Sequence, residues 1–224
     1  ELQQSSQSRV EVVMGGNPNR VGLSGHAEDG GISLEVSVSR ASHPYLVDHA
    51  IGEVPVLPVV LVLDWFTRAA TAIRPGLELG ACRDLKVLRG IRLTGFEGAG
   101  DCFRIIVKDH EDESGLVLDF ALQGSDGTLH YTAHVELQHE AHAAVVVSEP
   151  ALELQPWQDA IYGDVLFHGP DFQVIRNLDG MADQGGAATL AGVTELGWHG
   201  GWHATDTAAL DGGLQLALLW GKRV

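Results

Sequence analysis

The sequence predicts an α+β fold in which a curved antiparallel sheet wraps one long buried helix. Three observations support this fold class. A nearly continuous apolar run from Val59 to Ile73 predicts a helix that is buried on most sides. An alternating segment at residues 32–40 precedes it and predicts a half-buried strand. Strand-like segments separated by turns follow the helix up to residue 137, in the order of an antiparallel meander.

Length and charge narrow the classes of function. The chain has 224 residues, enough for one large domain or two half-size modules with a real core. With 14 Lys and Arg against 30 Asp and Glu, its formal charge of −16 argues against nucleic-acid and anionic-membrane partners. We find no membrane-spanning run and no secretory leader pattern, and therefore expect a cytoplasmic protein. Cys82 and Cys102 are expected to be buried in strands rather than paired.

The elements can be placed in order. Residues 1–31 are rich in Gln, Ser, Gly and Asn, which predicts a linker or leader. The helix begins near Pro58, because a first helical turn does not use the missing N–H, and it stops at residues 74–76. Strands are predicted near residues 82–94, 101–109, 115–123, 128–137, 174–181 and 187–194. Residues 140–157 carry two prolines and predict a connection between two halves.

The loop before the helix carries the first motif. It contains Asp48-His49, then Gly52 and Pro58, and its prolines bias the residues before them toward extended geometry. The stretch resembles the catalytic segment of the dehydratase domains of polyketide synthases and polyunsaturated fatty acid synthases, which have the double-hotdog fold. Two departures are that the glycine comes one residue earlier than usual, and that Val59 stands where a glycine usually follows the proline.

Two later segments carry the same resemblance. Gly169, Pro170, Phe172 and Gln173 match a Gly-Pro-x-Phe-Gln element of the family's second hotdog, and His168 stands where the modular enzymes usually have a tyrosine.

The third matching segment, Asp211 followed by Gln215, resembles the start of the family's second long helix, where the catalytic acid lies. The resemblance implies a first hotdog over residues 32–139, a connection over 140–157 and a second hotdog over 158–224. The family's last strands would follow residue 224, so we expect a fragment, a missing C-terminal part or a partner that supplies them.

The resemblance implies a hydro-lyase that converts 3-hydroxyacyl thioesters on an acyl carrier protein to 2-enoyl thioesters, with double-bond isomerisation left open. His49 suits the base, because imidazole is mostly neutral near pH 7. Asp211 suits the acid if burial keeps it protonated. Gln215 would orient this carboxyl, and the Val59 N–H would bind the thioester oxygen. The substrate tunnel is expected to include Pro58, Gly52, Tyr162, His168, Gly169, Pro170 and Phe172.

Other assignments remain open at this point. Asp211 could be a helix N-cap, Asp206 could be the acid instead, and Tyr162 and His168 could be core groups. No metal or organic cofactor is expected beyond the carrier's phosphopantetheine. The clustered histidines His134, His139 and His142, and the pair His199 and His203, do not show a convincing ligand spacing.

The expected partners are the acyl carrier protein and other domains of the same synthase, and a homodimer is left open. The acidic charge favours a tethered domain, because acyl carrier proteins are themselves usually acidic and tethering supplies an effective concentration of roughly millimolar. Two alternative functions are a product-template-like cyclase, which shares the fold and the His/Asp pair, and a catalytically degenerate hotdog that acts as a scaffold or dimerisation domain.

Overall fold

The computed structural model describes residues 10–14, 21–28, 31–110, 116–140, 151–163, 165–198 and 206–223, with side chains from residue 31 onward. The strands of the first half are β1 Val10–Met14, β2 Val21–Glu28, β3 Gly31–Val38, β4 Ala50–Ile51, β5 Val54–Pro55, β6 Glu78–Val87, β7 Asp101–Asp109, β8 Val117–Gly124 and β9 Leu129–Gln138. Those of the second half are β10 Ile175–Ala182 and β11 Gly185–Leu190. The helices are α1 Val59–Ile73, α2 Val193–Leu196 and α3 Thr207–Arg223, with 3₁₀ helices at Pro44–Asp48 and Pro170–Phe172.

Seven strands form one antiparallel sheet in the order β1-β2-β3-β7-β8-β9-β6. Its residues alternate as the sequence pattern predicts. In β3, Leu34, Val36 and Val38 are buried, whereas Glu35 and Ser37 are exposed. Because one face of the sheet is apolar, it must be covered, and α1 packs against it. The predicted sheet-wrapped helix is therefore present.

Helix α1 is buried along most of its length, as its apolar run predicts. Trp65 and Phe66 lie in the core, and the one buried acid, Asp64, is paired with Arg68 one turn later at 2.7 Å. Pro58 is the N-cap, with an extended ψ of 138°, and not a first-turn residue as expected. The helix therefore begins one residue later than its proline suggests.

The second half places α3 against the hairpin of β10 and β11 and against α1. The packing is tight at Gly212, where an added Cβ would meet the Leu190 side chain at 3.0 Å. The opposite face of α3 carries three exposed leucines one turn apart: Leu210, Leu214 and Leu218. The α+β class and the antiparallel sheets with long helices against them confirm the predicted fold class.

Several local predictions were wrong. Residues 10–14 and 21–28 are strands of the main sheet and not part of a linker. The first is a short apolar segment between polar and Gly-rich flanks, and the second contains glycine and serine itself. Strand β6 ends at Val87 instead of residue 94, and the second half of the predicted strand 187–194 contains α2. Cys82 and Cys102 do lie in strands, but Cys102 is exposed and Cys82 only half-buried.

Most of the predicted connection, residues 141–150, lies outside the described residues. Among the described helices, none combines the length and the apolar character needed to cross a membrane.

Candidate active site

The histidine of the first motif lies at the base of a small hairpin. His49 ends the first 3₁₀ helix, and strands β4 and β5 follow it around the turn at Gly52, whose φ is +69°. The Val56 N–H donates to the His49 carbonyl at 2.8 Å. The loop after the hairpin is also fixed, because the Leu57 N–H donates to the Ile91 carbonyl at 3.0 Å. The hairpin thus fixes the backbone of His49 before α1 begins.

The ring of His49 is oriented by the same hairpin. Its Nδ1 lies 2.6 Å from the Val56 carbonyl oxygen, which can only accept, so Nδ1 carries the proton. The Nε2 atom of the neutral ring is then an unprotonated base. Burial lowers the pKa of His49 below 6.5, although the Val56 carbonyl and the charge of Asp211 oppose the shift. The side chain is therefore neutral and basic at neutral pH.

The second motif acid lies inside α3. Asp206, not Asp211, is the N-cap: its Oδ1 accepts the Ala209 N–H at 3.0 Å and the Val193 N–H at 3.1 Å. Asp206 is exposed, which leaves it poorly suited to be the acid of a buried site. Asp211 is buried one turn further along the helix, on the side that faces the core. The N-cap interpretation of Asp211 is therefore wrong.

Asp211 is held by Gln215. The Gln215 Nε2 donates to Asp211 Oδ2 at 2.7 Å and to the Phe172 carbonyl at 2.9 Å, and its Oε1 accepts from the Tyr162 hydroxyl at 2.9 Å. The Tyr162 oxygen in turn accepts the Ile175 N–H at 2.8 Å. This chain of bonds leaves the Gln215 side chain one orientation, which keeps one N–H on the Asp211 carboxylate and the other on the Phe172 carbonyl.

Burial raises the pKa of Asp211 above 3.8, although the Gln215 hydrogen bond and the nearby His49 charge act in the opposite direction. The carboxyl accordingly holds its proton to a higher pH than an exposed aspartate does. A proton donor and a proton acceptor of this kind are the two groups that acid–base catalysis requires.

His168 is the third polar group of the cluster. Its Nε2 is 3.8 Å from Asp211 Oδ2, and its ring stacks on Phe167 with centroids 4.2 Å apart. Burial and the neighbouring His49 lower the pKa of His168 to about 4, so it is neutral near pH 7. Among the described residues its Nδ1 is buried without a hydrogen-bond partner.

The structure brings His49, His168 and Asp211 together. One nitrogen from each histidine and one Asp211 oxygen lie within 4.8 Å of one another, and all three residues are buried. The separation would let these groups hold a cation, and it equally lets two of them act on adjacent atoms of one bound molecule. Phe167, which is half-exposed and contacts both histidine rings, places the cluster just beneath the surface.

The two halves are joined at this point by main-chain contacts. The Gly169 N–H donates to the Asp48 carbonyl at 2.8 Å, and the Asp171 N–H donates to Asp48 Oδ2 at 2.7 Å. Asp48, whose role the sequence left unstated, thus ties the His49 loop to the second 3₁₀ helix. A Cβ on Gly169 would come within 2.5 Å of the Asp48 carboxylate, so glycine is required there.

A buried aromatic cluster supports the same junction. Tyr45 stacks on Trp198 with centroids 4.7 Å apart, and Phe172 lies 4.4 Å from Trp198 and 4.9 Å from His49. The Trp198 Nε1–H donates to the Asp171 carbonyl at 2.7 Å. Tyr45 and Trp198 were not identified from the sequence, because neither belongs to a motif.

The other residues predicted for the substrate tunnel differ in whether they lie near the cluster. Phe172 and Tyr162 contact the cluster directly or through Gln215. Gly52 and Pro170 are exposed, and their assignment to a tunnel wall stays a prediction. Pro58 is buried, and Val59 is the first residue of α1.

Both a family model and solved structures match this chain. The family model described as "Polyketide synthase dehydratase domain" matches residues 23–115, which is less than half of the chain. No curated protein shows significant similarity to the chain.

Among solved structures, the chain is similar to the dehydratase domain from the CurF module of curacin polyketide synthase, with 14% identity, a TM-score of 0.65 and coverage of 85% of this chain and 71% of that one. The dehydratase domain of PpsC from Mycobacterium tuberculosis has 16% identity, a TM-score of 0.60 and coverage of 86% and 70%. The bifunctional dehydratase-cyclase domain of ambruticin biosynthesis has 22% identity, a TM-score of 0.56 and coverage of 86% and 69%. These matches confirm the predicted hotdog fold and the resemblance to polyketide synthase dehydratase domains.

Proposed function

We propose that this chain, which has the fold of the polyketide synthase dehydratase domains, removes water from 3-hydroxyacyl thioesters. The observation that carries the proposal is the pairing of a buried base, His49, with a buried acid, Asp211, within 4.8 Å. The two residues come from different halves of the chain and meet where Asp48 and Gly169 join those halves.

The spacing suits the chemistry of dehydration. The proton to be removed and the hydroxyl to be expelled are carried on adjacent carbons, about 1.5 Å apart. A base and an acid that each reach one of these groups at roughly 2.6–3.2 Å must therefore lie a few ångströms from one another. The nitrogen of His49 and the oxygen of Asp211 meet this condition.

In the first role, His49 Nε2 takes the proton from the carbon next to the thioester carbonyl. The Val56 carbonyl holds the opposite nitrogen protonated at 2.6 Å, so the basic lone pair faces away from the hairpin. When the ring becomes an imidazolium, the same carbonyl and the Asp211 charge stabilise it, as both oppose the lowered pKa.

In the second role, Asp211 gives its proton to the departing hydroxide, and water leaves. The products are the 2-enoyl thioester, protonated His49 and ionised Asp211, and proton return from His49 to the carboxylate through solvent restores the starting state. Gln215 stabilises the ionised carboxylate through its 2.7 Å hydrogen bond and keeps it aimed at the site.

The thioester oxygen gains charge as the proton leaves and needs a donor. The first N–H groups of α1 have no partner within the helix, and Pro58 provides no side-chain cap. We assign the Val59 N–H to this oxygen, with the helix dipole adding to its effect. Proton transfers by His49 and Asp211 complete this reaction without a metal or an organic cofactor.

The substrate is proposed to arrive as an acyl chain on the phosphopantetheine of an acyl carrier protein, within a polyketide or polyunsaturated fatty acid synthase. A carrier attached to the same polypeptide needs no electrostatic attraction, which accords with the charge of −16. Entry beside Phe167 would bring the thioester to both histidines, since this ring contacts each of them.

A short 3-hydroxybutyryl thioester tests the proposal. Incubated with the folded protein, it should yield the 2-butenoyl thioester, detected by its absorbance and by the mass lost as water. Added 2-butenoyl thioester should be hydrated in the reverse direction, because the equilibrium is accessible from both sides. If the protein converts neither of these two compounds, and converts no 3-hydroxyacyl thioester of longer chain length, the scaffold alternative is favoured.

A further inference from the structure

The solvent-facing side of the main sheet carries a second cluster of titratable groups, formed across three elements. Asp119 of β8 stands directly opposite His134 of β9. His110 follows the last residue of β7, and its N–H donates to the Val117 carbonyl at 3.0 Å. The sheet therefore fixes the backbones of all three residues beside one another.

Their side chains converge on one oxygen. Asp119 Oδ1 lies 2.7 Å from His110 Nδ1 and 2.6 Å from His134 Nδ1, and the two rings are 5.0 Å apart in an edge-on arrangement. The three ligand atoms all lie within 4.8 Å of one another. Each side chain is between 36% and 40% exposed, so the cluster is open to solvent.

The donor set has a defined metal preference. Two imidazole nitrogens and one carboxylate oxygen suit zinc and its neighbours in the first transition row, whereas calcium and magnesium prefer oxygen ligands alone. Three protein ligands leave a fourth tetrahedral position for water. The present distances between donors are short for ligands around a shared ion, and small side-chain rotations that open them would admit one.

We propose that His110, Asp119 and His134 form a surface site for a divalent transition-metal ion of the zinc class. Each histidine would bind the ion through Nδ1 as a neutral imidazole with its proton on Nε2, so the Nδ1 protons that now point at Asp119 exchange through solvent. It would link the end of β7 to β8 and β9 and so stabilise the sheet on the face opposite α1. This site is separate from the His49 and Asp211 pair and does not depend on the proposed reaction.

Two nearby cations limit the affinity. Lys108 of β7 pairs with Asp119 in the register, and Arg83 of β6 pairs with His134. Arg83 is already engaged by Glu136, at 2.5 Å, which neutralises part of its charge. The expected ion is therefore bound reversibly and is removed by a chelator.

The test is a calorimetric titration of the chelator-treated protein with zinc chloride, with calcium chloride as the hard-cation comparison. Zinc should bind with one equivalent at this site, and His134→Ala and Asp119→Ala should each weaken it by more than the 10- to 100-fold typical of losing a supporting group. His134→Gln and Asp119→Asn keep the approximate size of the side chain. They replace the alanine variants in the titration if an alanine variant does not fold.

Two controls separate this site from others. His130 lies on the same face of β9 with its Nδ1 at 3.0 Å from the Arg89 carbonyl, and His130→Ala should leave zinc binding unchanged. Asp211→Asn removes a ligand from the buried cluster of His49, His168 and Asp211. The zinc equivalent bound at the surface site should remain in this variant. Histidine side-chain NMR should show shifts at His110 and His134 on zinc addition.

The proposal is overturned by the absence of zinc binding, by an unchanged number and affinity of zinc equivalents in His134→Gln and Asp119→Asn, or by loss of the only equivalent in Asp211→Asn. Every measurement in this test reports zinc binding and none reports turnover. The test of the metal site therefore gives an answer even if the protein does not dehydrate 3-hydroxyacyl thioesters.

Discussion

Asp48 and Gly169 are in direct contact across the two halves of the chain, with the Gly169 N–H on the Asp48 carbonyl at 2.8 Å. The Gly169 Cα has no room for a side chain, because an added Cβ would stand 2.5 Å from the Asp48 carboxylate. This carboxylate also accepts the Asp171 N–H at 2.7 Å. The residue before the proposed base is thus the point at which the second half is positioned.

The first prediction concerns this contact. Gly169→Ala should lower the free energy of unfolding by about 1–3 kcal/mol, as overpacked sites do, and should reduce kcat/KM because it displaces the His49 loop. Gly213 on the open side of α3 is the matched control, since an added Cβ there meets nothing within 4 Å. Gly213→Ala should instead stabilise by about 0.5–1 kcal/mol. Equal melting temperatures for both variants would contradict the role given to Gly169.

The second prediction concerns Gln215. Gln215→Glu keeps the shape but replaces the donor to Asp211 and to the Phe172 carbonyl with a second carboxyl. Because Asp211 then loses its orienting bond, kcat should fall by at least about tenfold while KM changes little. Tyr162→Phe removes the bond to Gln215 Oε1 and the acceptor of the Ile175 N–H but leaves the Gln215 donor on Asp211, so it should lower kcat less. An unchanged kcat in Gln215→Glu would show that the carboxyl needs no such orientation.

The third prediction uses stability as a function of pH. The pKa of His168 is about 4 in the folded state against 6.5 for an exposed histidine, so the unfolded chain binds the proton more tightly. Stability should therefore fall as the pH drops from 6.5 toward 4. His168→Phe should flatten this part of the curve, measured as urea midpoints at several pH values. A His168→Phe curve parallel to that of the wild type would contradict the burial of a neutral imidazole.

The fourth prediction is the pH profile of the reaction. His49 acts when neutral, and its lowered pKa moves the acidic limb of kcat/KM below 6.5. Asp211 acts when protonated, and its raised pKa places the loss of activity with increasing pH above 3.8. Replacing Asp211 by Asn should remove the second limb from whatever turnover remains. Persistence of that limb in Asp211→Asn would assign it to another group.

Much of the fold follows from local pattern. The buried run of α1 and the alternation of β3, β7, β8 and β9 are encoded residue by residue, which is why their bounds come out within one or two positions. Strands β1 and β2 were missed, because β1 is only five residues long between polar flanks and the glycine and serine content of β2 hides its alternation. Both depend on sheet pairing, β2 with β3 and β1 with β2.

The site was predicted only as far as its motifs extend. His49, Asp211 and Gln215 belong to recognisable segments, and the structure brings them together. Tyr162 was expected as a tunnel residue, but its bond to Gln215 was not. The contributions of Val56 and Trp198 are main-chain contacts or contacts between residues far apart in sequence, which no spacing reveals. The same holds for His110 and His134, whose proximity depends on the pairing of β8 with β9.

The most direct test of the central claim is the rate of 2-enoyl thioester formation by wild type, His49→Ala and Asp211→Asn, with His110→Ala as a histidine control on the opposite face of the sheet. The account predicts turnover by the wild type and by His110→Ala, and losses of at least about 10²-fold in each of the other two, with native melting temperatures. Turnover near the wild-type rate in folded His49→Ala or Asp211→Asn would contradict it.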